Sequence, residues 1–246
     1  ISVGNVPCSV AISDVNEDGH LDIVTADYYD SKISVRWGLG DGRSNAHTKY
    51  AVGSNPYSVA LSDVNEDGHI DILSANYTDN NVSVLLGVGD GAILSQATYA
   101  VGNYPRSVVL SDVNEDGHLD VVTANYTDNN VSVLLGVGDG TFQAQTTFGV
   151  GIRPQYVALS DVNEDGRLDV VTANSYGDNV SVLLGVGDGT FLAQTTFAVG
   201  DAPYSVALSD VNKDGFPDIV TANSGYDNVS LLLGVGDGTF LAQAIF

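Results

Sequence analysis

The sequence predicts an all-β protein, a β-propeller of four-stranded blades, on three observations. Landmark segments recur at a fixed step of 49 residues with no insertion or deletion between them. Each step holds four short β-rich runs separated by polar or Gly-rich turns. No stretch keeps an apolar period of about 3.6 residues over a useful length.

The repeat dictates the architecture. Asp-Val-Asn-(Glu/Lys)-Asp-Gly begins at Asp14, Asp63, Asp112, Asp161 and Asp210, and Gly-Asp-Gly is centred on Asp41, Asp90, Asp139, Asp188 and Asp237. Pro7, Pro56, Pro105, Pro154 and Pro203 keep the same step. Five units result, approximately 1–49, 50–98, 99–147, 148–196 and 197–246, in a single domain. In the second unit, residues 58–62 alternate, with Val59 and Leu61 on one face; 71–76, 82–86 and 97–101 are the other three strands. A unit of this size with four strands matches a propeller blade. Five units make a five-bladed ring; a seven-bladed protein cut short would look similar. The first unit diverges most, with Arg36 and Trp37 where later copies have Leu-Leu. Ile1 and Phe246 fall at the same repeat position as Tyr50 and Phe197. Residues 239–246 and 1–4 are therefore expected to meet in one blade and close the ring, which removes free sheet edges.

Composition narrows the function. Apolar residues make up 43% of the 246, enough for a core. No run of about 18 apolar residues is present, so no membrane-inserted segment is expected. No basic segment followed by an apolar one opens the chain, so a signal peptide is not expected there. Met is absent altogether, which suggests processing or a longer parent. The formal charge of −23 disfavours nucleic acid and anionic lipid as partners. Cys8, the single cysteine, excludes an internal disulfide.

Fifteen of the 31 acidic residues are the motif aspartates of five short loops reading D-x-N-x-D-G-x-x-D. Calcium takes six to eight hard oxygen ligands, and alternate positions of a tight loop supply them. The first loop offers Asp14, Asn16, Asp18, the carbonyl of His20, and Asp22. The second offers Asp63, Asn65, Asp67, His69 and Asp71; the third Asp112, Asn114, Asp116, His118 and Asp120. The fourth offers Asp161, Asn163, Asp165, Arg167 and Asp169; the fifth Asp210, Asn212, Asp214, Phe216 and Asp218. The seventh position varies freely, as befits a backbone ligand. An EF-hand needs Glu at position 12, where this chain has Thr25, Ser74, Thr123, Thr172 or Thr221. One Ca2+ per repeat is the expectation, favoured over magnesium by the many oxygen donors. Five such ions would bring the formal charge from −23 to −13. The bland alternative is a set of Asx turns without metal, in which three carboxylates repel one another.

The stretch DVNEDGHLDVVTANYTDNNVSVLLGVGDGTF (112–142), followed by FGVGIRP (148–154), resembles the FG-GAP repeat, also known as a VCBS-type repeat. The likeness runs through all five units. It implies propeller blades with calcium between the first and second strands, as in the integrin α-chain head, and an extracellular or cell-surface location. Relatives of this kind include fungal lectins, adhesion receptors and non-catalytic propellers attached to bacterial enzymes. The ligand positions match throughout; Lys213 replaces Glu at a non-ligand position of the fifth loop. Units of 49 residues, and five of them, are short and few for the family, which usually has about seven blades of this kind.

If the calcium loops lie on one face of the disc, the turns between second and third strands and the linkers between blades lie on the other. That face collects Tyr28, Tyr77, Tyr126, Tyr176 and Tyr226 from the turns and Tyr57, Tyr104, Tyr156 and Tyr204 from the linkers. Asp79, Asn80, Asp128, Asn129, Asp178 and Asp227 accompany them. Rings beside hydrogen-bonding oxygens suit a sugar, so Tyr57, Tyr77, Tyr104, Tyr126, Tyr156, Tyr176, Tyr204 and Tyr226 are the candidate ligand residues, in shallow sites between blades. The competing reading has these tyrosines simply wedging blades together. His20, His69 and His118 read as solvated, standing alone beside their loops, and the sequons at Asn76, Asn81, Asn125, Asn130, Asn179 and Asn228 follow from the repeat. No Ser/His/Asp or Cys/His set can be assembled, so an enzyme is not expected. A glycan-binding module leads; an adhesion propeller for an extracellular protein ligand, or a structural array without ligand, are the alternatives.

Overall fold

The computed structural model describes residues 3–246 of the chain. Its strands fall into five antiparallel four-stranded sheets, each a meander of consecutive strands. The first blade comprises β1 (Pro7–Ser13), β2 (Asp22–Asp27), β3 (Lys32–Gly38) and β4 (Ser44–Ala51). The second comprises β5 (Pro56–Ser62), β6 (Asp71–Asn76), β7 (Asn81–Gly87) and β8 (Ile93–Ala100). The third comprises β9 (Pro105–Ser111), β10 (Asp120–Asn125), β11 (Asn130–Leu134) and β12 (Thr146–Gly149). The fourth comprises β13 (Pro154–Ser160), β14 (Asp169–Asn174), β15 (Asn179–Leu183) and β16 (Thr195–Ala198). The fifth comprises β17 (Pro203–Ser209), β18 (Asp218–Asn223), β19 (Asn228–Leu232) and β20 (Ala244–Ile245). The expected strand 71–76 is reproduced to the residue, and its neighbours run slightly longer. The five-bladed, all-β expectation holds. Among the described residues no helix is long and apolar enough to cross a membrane.

The sequence builds each blade by giving its two faces to different neighbours. In β6, Ile72 packs toward the first blade and Leu73 and Ala75 toward the third. All six residues of β6 are buried, because a blade lies against each face. Val59 and Leu61 share the face toward the first blade, as the alternation predicts. Ser and Asn at buried positions of this strand are matched to each other: Asn76 Nδ2 donates to Asn81 Oδ1 at 2.7 Å and to Ser83 Oγ at 2.8 Å. The same trio recurs at Asn125, Asn174 and Asn223, so a polar stripe is satisfied inside the second to fifth blades.

Four apolar seams join neighbouring blades from the first to the fifth. Edge-to-face rings fasten the outer part of three of them: Tyr99 with Phe142, Phe148 with Phe191, and Phe197 with Phe240, centroids 5.2–5.3 Å apart.

Ring closure is where the structure departs from expectation. Val10 in β1 is 62% exposed, whereas its equivalents Val59, Val108, Val157 and Val206 are at most 7% exposed. On the far side of the fifth blade Val211 is 50% exposed, against at most 3% for Val15, Val64, Val113 and Val162. The first and fifth blades therefore do not share a packed seam. The fourth strand of the fifth blade is completed from its own end, with Phe246 exchanging backbone hydrogen bonds with Val229 at 2.9 and 3.0 Å. Ile1 and Ser2, on which the closure expectation partly rested, lie outside the described residues. A physical reason is visible on the first blade. Where an internal seam has Leu and Phe, at Leu134 and Phe142, this face has Arg36 and Ser44, and Arg36 Nε donates to Ser44 Oγ at 3.0 Å.

Candidate functional site

Two ends of the ring carry candidate sites. At one end the loops between first and second strands fold on their own side chains. In the third loop, Asp112 Oδ2 accepts from Gly117 N at 2.8 Å, and Oδ1 from Asp116 N at 3.2 Å. Asp116 Oδ1 accepts from His118 N at 2.9 Å, and Asn114 Nδ2 donates to Asp116 Oδ2 at 2.8 Å. The other four loops repeat this pattern. Gly117 takes φ +92°, which permits the turn, and Glu115 sits at φ 60° before it.

The ninth position behaves differently. Asp120 is fully buried; its Oδ2 accepts from Val113 N at 2.9 Å and its Oδ1 from Gly136 N at 2.8 Å. Asp22, Asp71, Asp169 and Asp218 make the same two bonds. This carboxylate thus clamps the loop to the end of the third strand. Burial pushes the Asp120 carboxyl up to about 6 despite these two hydrogen bonds, and the nearby carboxylates of Asp116 and Asp112 push the same way. Asp71 and Asp169 are raised for the same reasons.

The donor types of each loop suit calcium, although their side chains are not arranged around a common point. Each loop carries two carboxylates and an amide in sequence, next to a buried carboxylate that has no ion-pair partner among the described residues. All donors are oxygen, as calcium prefers. The Asp and Asn side chains are turned onto the loop's own N–H groups, and among the described residues no three acidic, His or Cys side chains converge on one point. Each carboxylate oxygen that accepts one such bond still has a second lone pair. The residues that would hold the ion are those at positions 1, 3, 5, 7 and 9 of each loop.

Two of the three loop histidines, His69 and His118, do not stand alone, contrary to expectation. His69 Nδ1 bonds the Glu17 carboxylate and His118 Nδ1 the Glu66 carboxylate, each reaching from one blade's loop to the next. The glutamate at position 4, though not a ligand, therefore ties loops across seams, and its carboxylate holds each imidazole pKa above the ordinary value.

The opposite end carries the turns and linkers, as expected. Asp79, Asn80, Asp128, Asn129 and Asp178 are engaged in holding the linkers, whereas Asp227 is exposed. Asp79 Oδ2 accepts from Ser54 N at 2.7 Å, Asn80 Oδ1 from Tyr104 N at 2.9 Å, Asn129 Oδ1 from Arg153 N at 2.8 Å and Asp178 Oδ1 from Ala202 N at 3.0 Å. The tyrosines also divide. Tyr28, Tyr77 and Tyr126 share one turn position, but Ser175 and Ser224 hold it in the last two blades, each donating its hydroxyl to a linker carbonyl at 3.0 Å. Tyr176 and Tyr226 stand one and two residues further along and are largely exposed. Tyr156 lies two residues after its proline, exposed at the surface.

The axis is where side chains converge. The first strand of each blade lies innermost, and the residue after its proline points to the axial mouth. These five residues are Cys8, Tyr57, Arg106, Gln155 and Tyr204. The hydroxyls of Tyr57 and Tyr204 bond each other across the mouth. Arg106 donates to Gln155 Oε1, and its guanidinium lies 3.9 Å from the ring centre of Tyr126, 5.1 Å from Tyr57 and 5.3 Å from Tyr77. Tyr77 packs on Tyr104 with centroids 4.6 Å apart. Arg153 extends the patch, 4.3 Å from Tyr176 and 5.3 Å from Tyr126. Neither guanidinium forms an ion pair among the described residues, and Arg106 Nε is buried without a hydrogen bond. Burial raises the Cys8 thiol, partly offset by Arg106, and burial followed by the bond to Tyr204 raises the Tyr57 hydroxyl.

The residue before each proline adds backbone strain to the same rim. Val6, Asn55, Tyr104, Arg153 and Ala202 take φ between 51° and 58°. Only Asn favours that region; the other four cost about 1 kcal/mol or more each. The sequence reading missed Arg106, Arg153, Gln155 and Cys8 as members of this site. The signal was present: in a chain that copies its scaffold nearly verbatim, the position before the fixed proline differs in every copy and the position after it holds four residue types in five copies.

Comparison with known proteins defines the class. The FG-GAP-like repeat model matches at 14–74, 63–123, 112–172 and 161–221, and the chain belongs to that family. No curated protein registers as a relative. Among solved structures, a lectin from Agrocybe aegerita that recognises non-reducing terminal N-acetylglucosamine is 21% identical, with TM-score 0.63 over 96% of this chain and 65% of its own. BBS1N in complex with ARL6DN is 15% identical, TM-score 0.65, over 99% and 69%. A Bacteroides fragilis protein assigned provisionally to the 6-phosphogluconolactonases is 14% identical, TM-score 0.73, over 99% and 74%. At these identities the likeness is one of fold. The chain spans about two thirds to three quarters of the length of these neighbours.

Proposed function

We propose that this chain is a non-catalytic binding propeller, held in shape by calcium in its five loops, that takes a glycan at the axial mouth. The observation that carries this reading is the ring of Cys8, Tyr57, Arg106, Gln155 and Tyr204: five equivalent positions bearing four different side-chain chemistries on an otherwise copied scaffold. Such concentrated variation gives one asymmetric surface on a near-fivefold frame, as recognition of an asymmetric ligand requires. Tyr104, Tyr176 and Tyr204 present partly exposed rings for stacking on a sugar, while Arg106 and Arg153 supply donors for hydroxyl or acidic groups. The lectin among the structural neighbours supports the glycan reading. The mouth holds no paired acid and base, which supports binding over catalysis despite the lactonase-like neighbour.

Calcium belongs to this proposal through the buried ninth-position carboxylates, whose charge a divalent ion would compensate. Affinities of extracellular loops of this kind lie on the order of 10⁻⁴ to 10⁻³ M. That range favours an extracellular or cell-surface setting, where calcium is millimolar.

The test is a glycan array probed with labelled protein in millimolar calcium and again in chelator. Calcium-dependent binding to a defined class of sugar is expected. A blank array in both conditions, together with capture of an acidic protein ligand through Arg106 and Arg153, would replace the glycan by a protein partner.

A further inference from the structure

The two free blade faces are the largest feature that the axial site leaves unexplained. On the first blade Val10, Ile12, Leu21 and Ile23 are exposed; their equivalents Val108, Leu110, Leu119 and Val121 pack against the second blade. On the fifth blade Val211, Ala222, Val229 and Phe246 are exposed; their equivalents Val64, Ala75, Val82 and Tyr99 pack against the third. The two faces are therefore the two halves of a seam that this sequence already makes four times. Apolar faces of this extent on a soluble chain mark a contact surface.

We infer that the fifth-blade face of one copy docks on the first-blade face of a second copy. The occupant is set by complementarity already present in the molecule: the partner for Val211, Ala222 and Val229 at every internal seam is the next blade's copy of Val10, Ile12 and Ile23. The departures on the first blade fit the same partner. Ser44 stands where the last three copies have Phe, beside a hollow of about 410 Å³ lined by Leu21, Ile23, Arg36, Leu39 and Ser44. At the internal seam that Phe meets the ring equivalent to Phe246. In the copy-to-copy seam the exposed Phe246 ring enters the hollow beside the Arg36 guanidinium, a cation–π contact. The contact is head-to-tail, so each copy offers one donor face and one acceptor face, and assembly either closes into a ring or runs on. The charge of −23 on each copy opposes association at low ionic strength, and calcium and salt relieve it.

The test uses the full chain in about 0.15 M salt with millimolar calcium, by light scattering coupled to size exclusion from micromolar to submillimolar concentration. The wild type is expected to form dimers and larger species as concentration rises. Val10→Asp with Ile12→Asp blocks one face; Val211→Asp with Val229→Asp blocks the other. Each double variant is expected to be monomeric alone, to melt where the monomeric wild type melts, and to pair with the other variant as a heterodimer that grows no further. A wild type that stays monomeric throughout overturns the proposal, as does association unchanged by either variant. If either variant melts well below the wild type at low concentration, the faces meet within one chain, and the copy-to-copy seam is wrong.

Discussion

Tyr57 and Tyr204, three blades apart, meet hydroxyl to hydroxyl at the axis. They occupy the same repeat position, one residue after the fixed proline, and their contact closes the mouth against which Arg106 stacks. The mouth is thus built by side chains from different blades.

Arg106 stabilises that plug through three rings, each cation–π contact being worth about 0.5–1 kcal/mol. Arg106→Met keeps the apolar stem and removes the cation. A fall in Tm of about 3–12 °C is expected, from about 2–4 °C per kcal/mol for a chain of this size. Calorimetry of the purified variant checks it.

The ninth and fifth loop positions are expected to separate structure from ion binding. Asp120→Asn replaces an oxygen that accepts a backbone N–H by an amide that cannot, at a fully buried site. A loss of about 2–4 kcal/mol is expected already in chelator, where no ion is bound, and a larger one in calcium. Asp116→Asn lies at the surface and should leave stability in chelator nearly unchanged while lowering calcium stoichiometry by one site. Urea melts and calcium titrations of both variants decide between these roles.

Calcium removal should be felt by the whole ring. At about 1 mM ion and the affinities expected of such loops, each site contributes about 0.4–1.4 kcal/mol. Five sites therefore raise Tm by at least about 4 °C relative to chelator. A thermal scan with and without chelator measures it, and magnesium at the same concentration should do less.

Two glycines make opposite demands. A Cβ on Gly136 would lie 2.2 Å from the Leu119 carbonyl oxygen, which is backbone and cannot retreat. Gly117 has φ +92° but open space around it. Gly117→Ala should cost about 1 kcal/mol, and Gly136→Ala considerably more, enough to unfold the third blade locally. Limited proteolysis of the two variants would show the difference.

The blade was legible because its signals are local and copied five times. β6 was read to the residue: Asp71 starts it as a loop clamp and Asn76 ends it at a turn. The loop motif was legible for the same reason. The role of Asp71 as a two-armed clamp was not, because Gly87, one of its partners, lies sixteen residues away on another strand. The tyrosine face was read by residue type, which placed Tyr176 and Tyr226 with Tyr126 although Ser175 and Ser224 hold that place. The axial ring was hidden because its members differ, and a search for repeats passes over what does not repeat. The open seam was hidden for the converse reason: Val10 and Val59 look alike in sequence, and only the arc of the ring decides which one is covered.

The most direct test of the account is glycan-array binding of three proteins side by side in calcium: the wild type, an axial variant carrying Arg106→Ala and Tyr204→Ala, and a remote variant carrying Tyr226→Ala. The account predicts that the wild type and the remote variant bind the same sugars and that the axial variant, still folded by circular dichroism, binds none. Undiminished binding by the axial variant would contradict it, and would move the ligand from the mouth to another part of the ring.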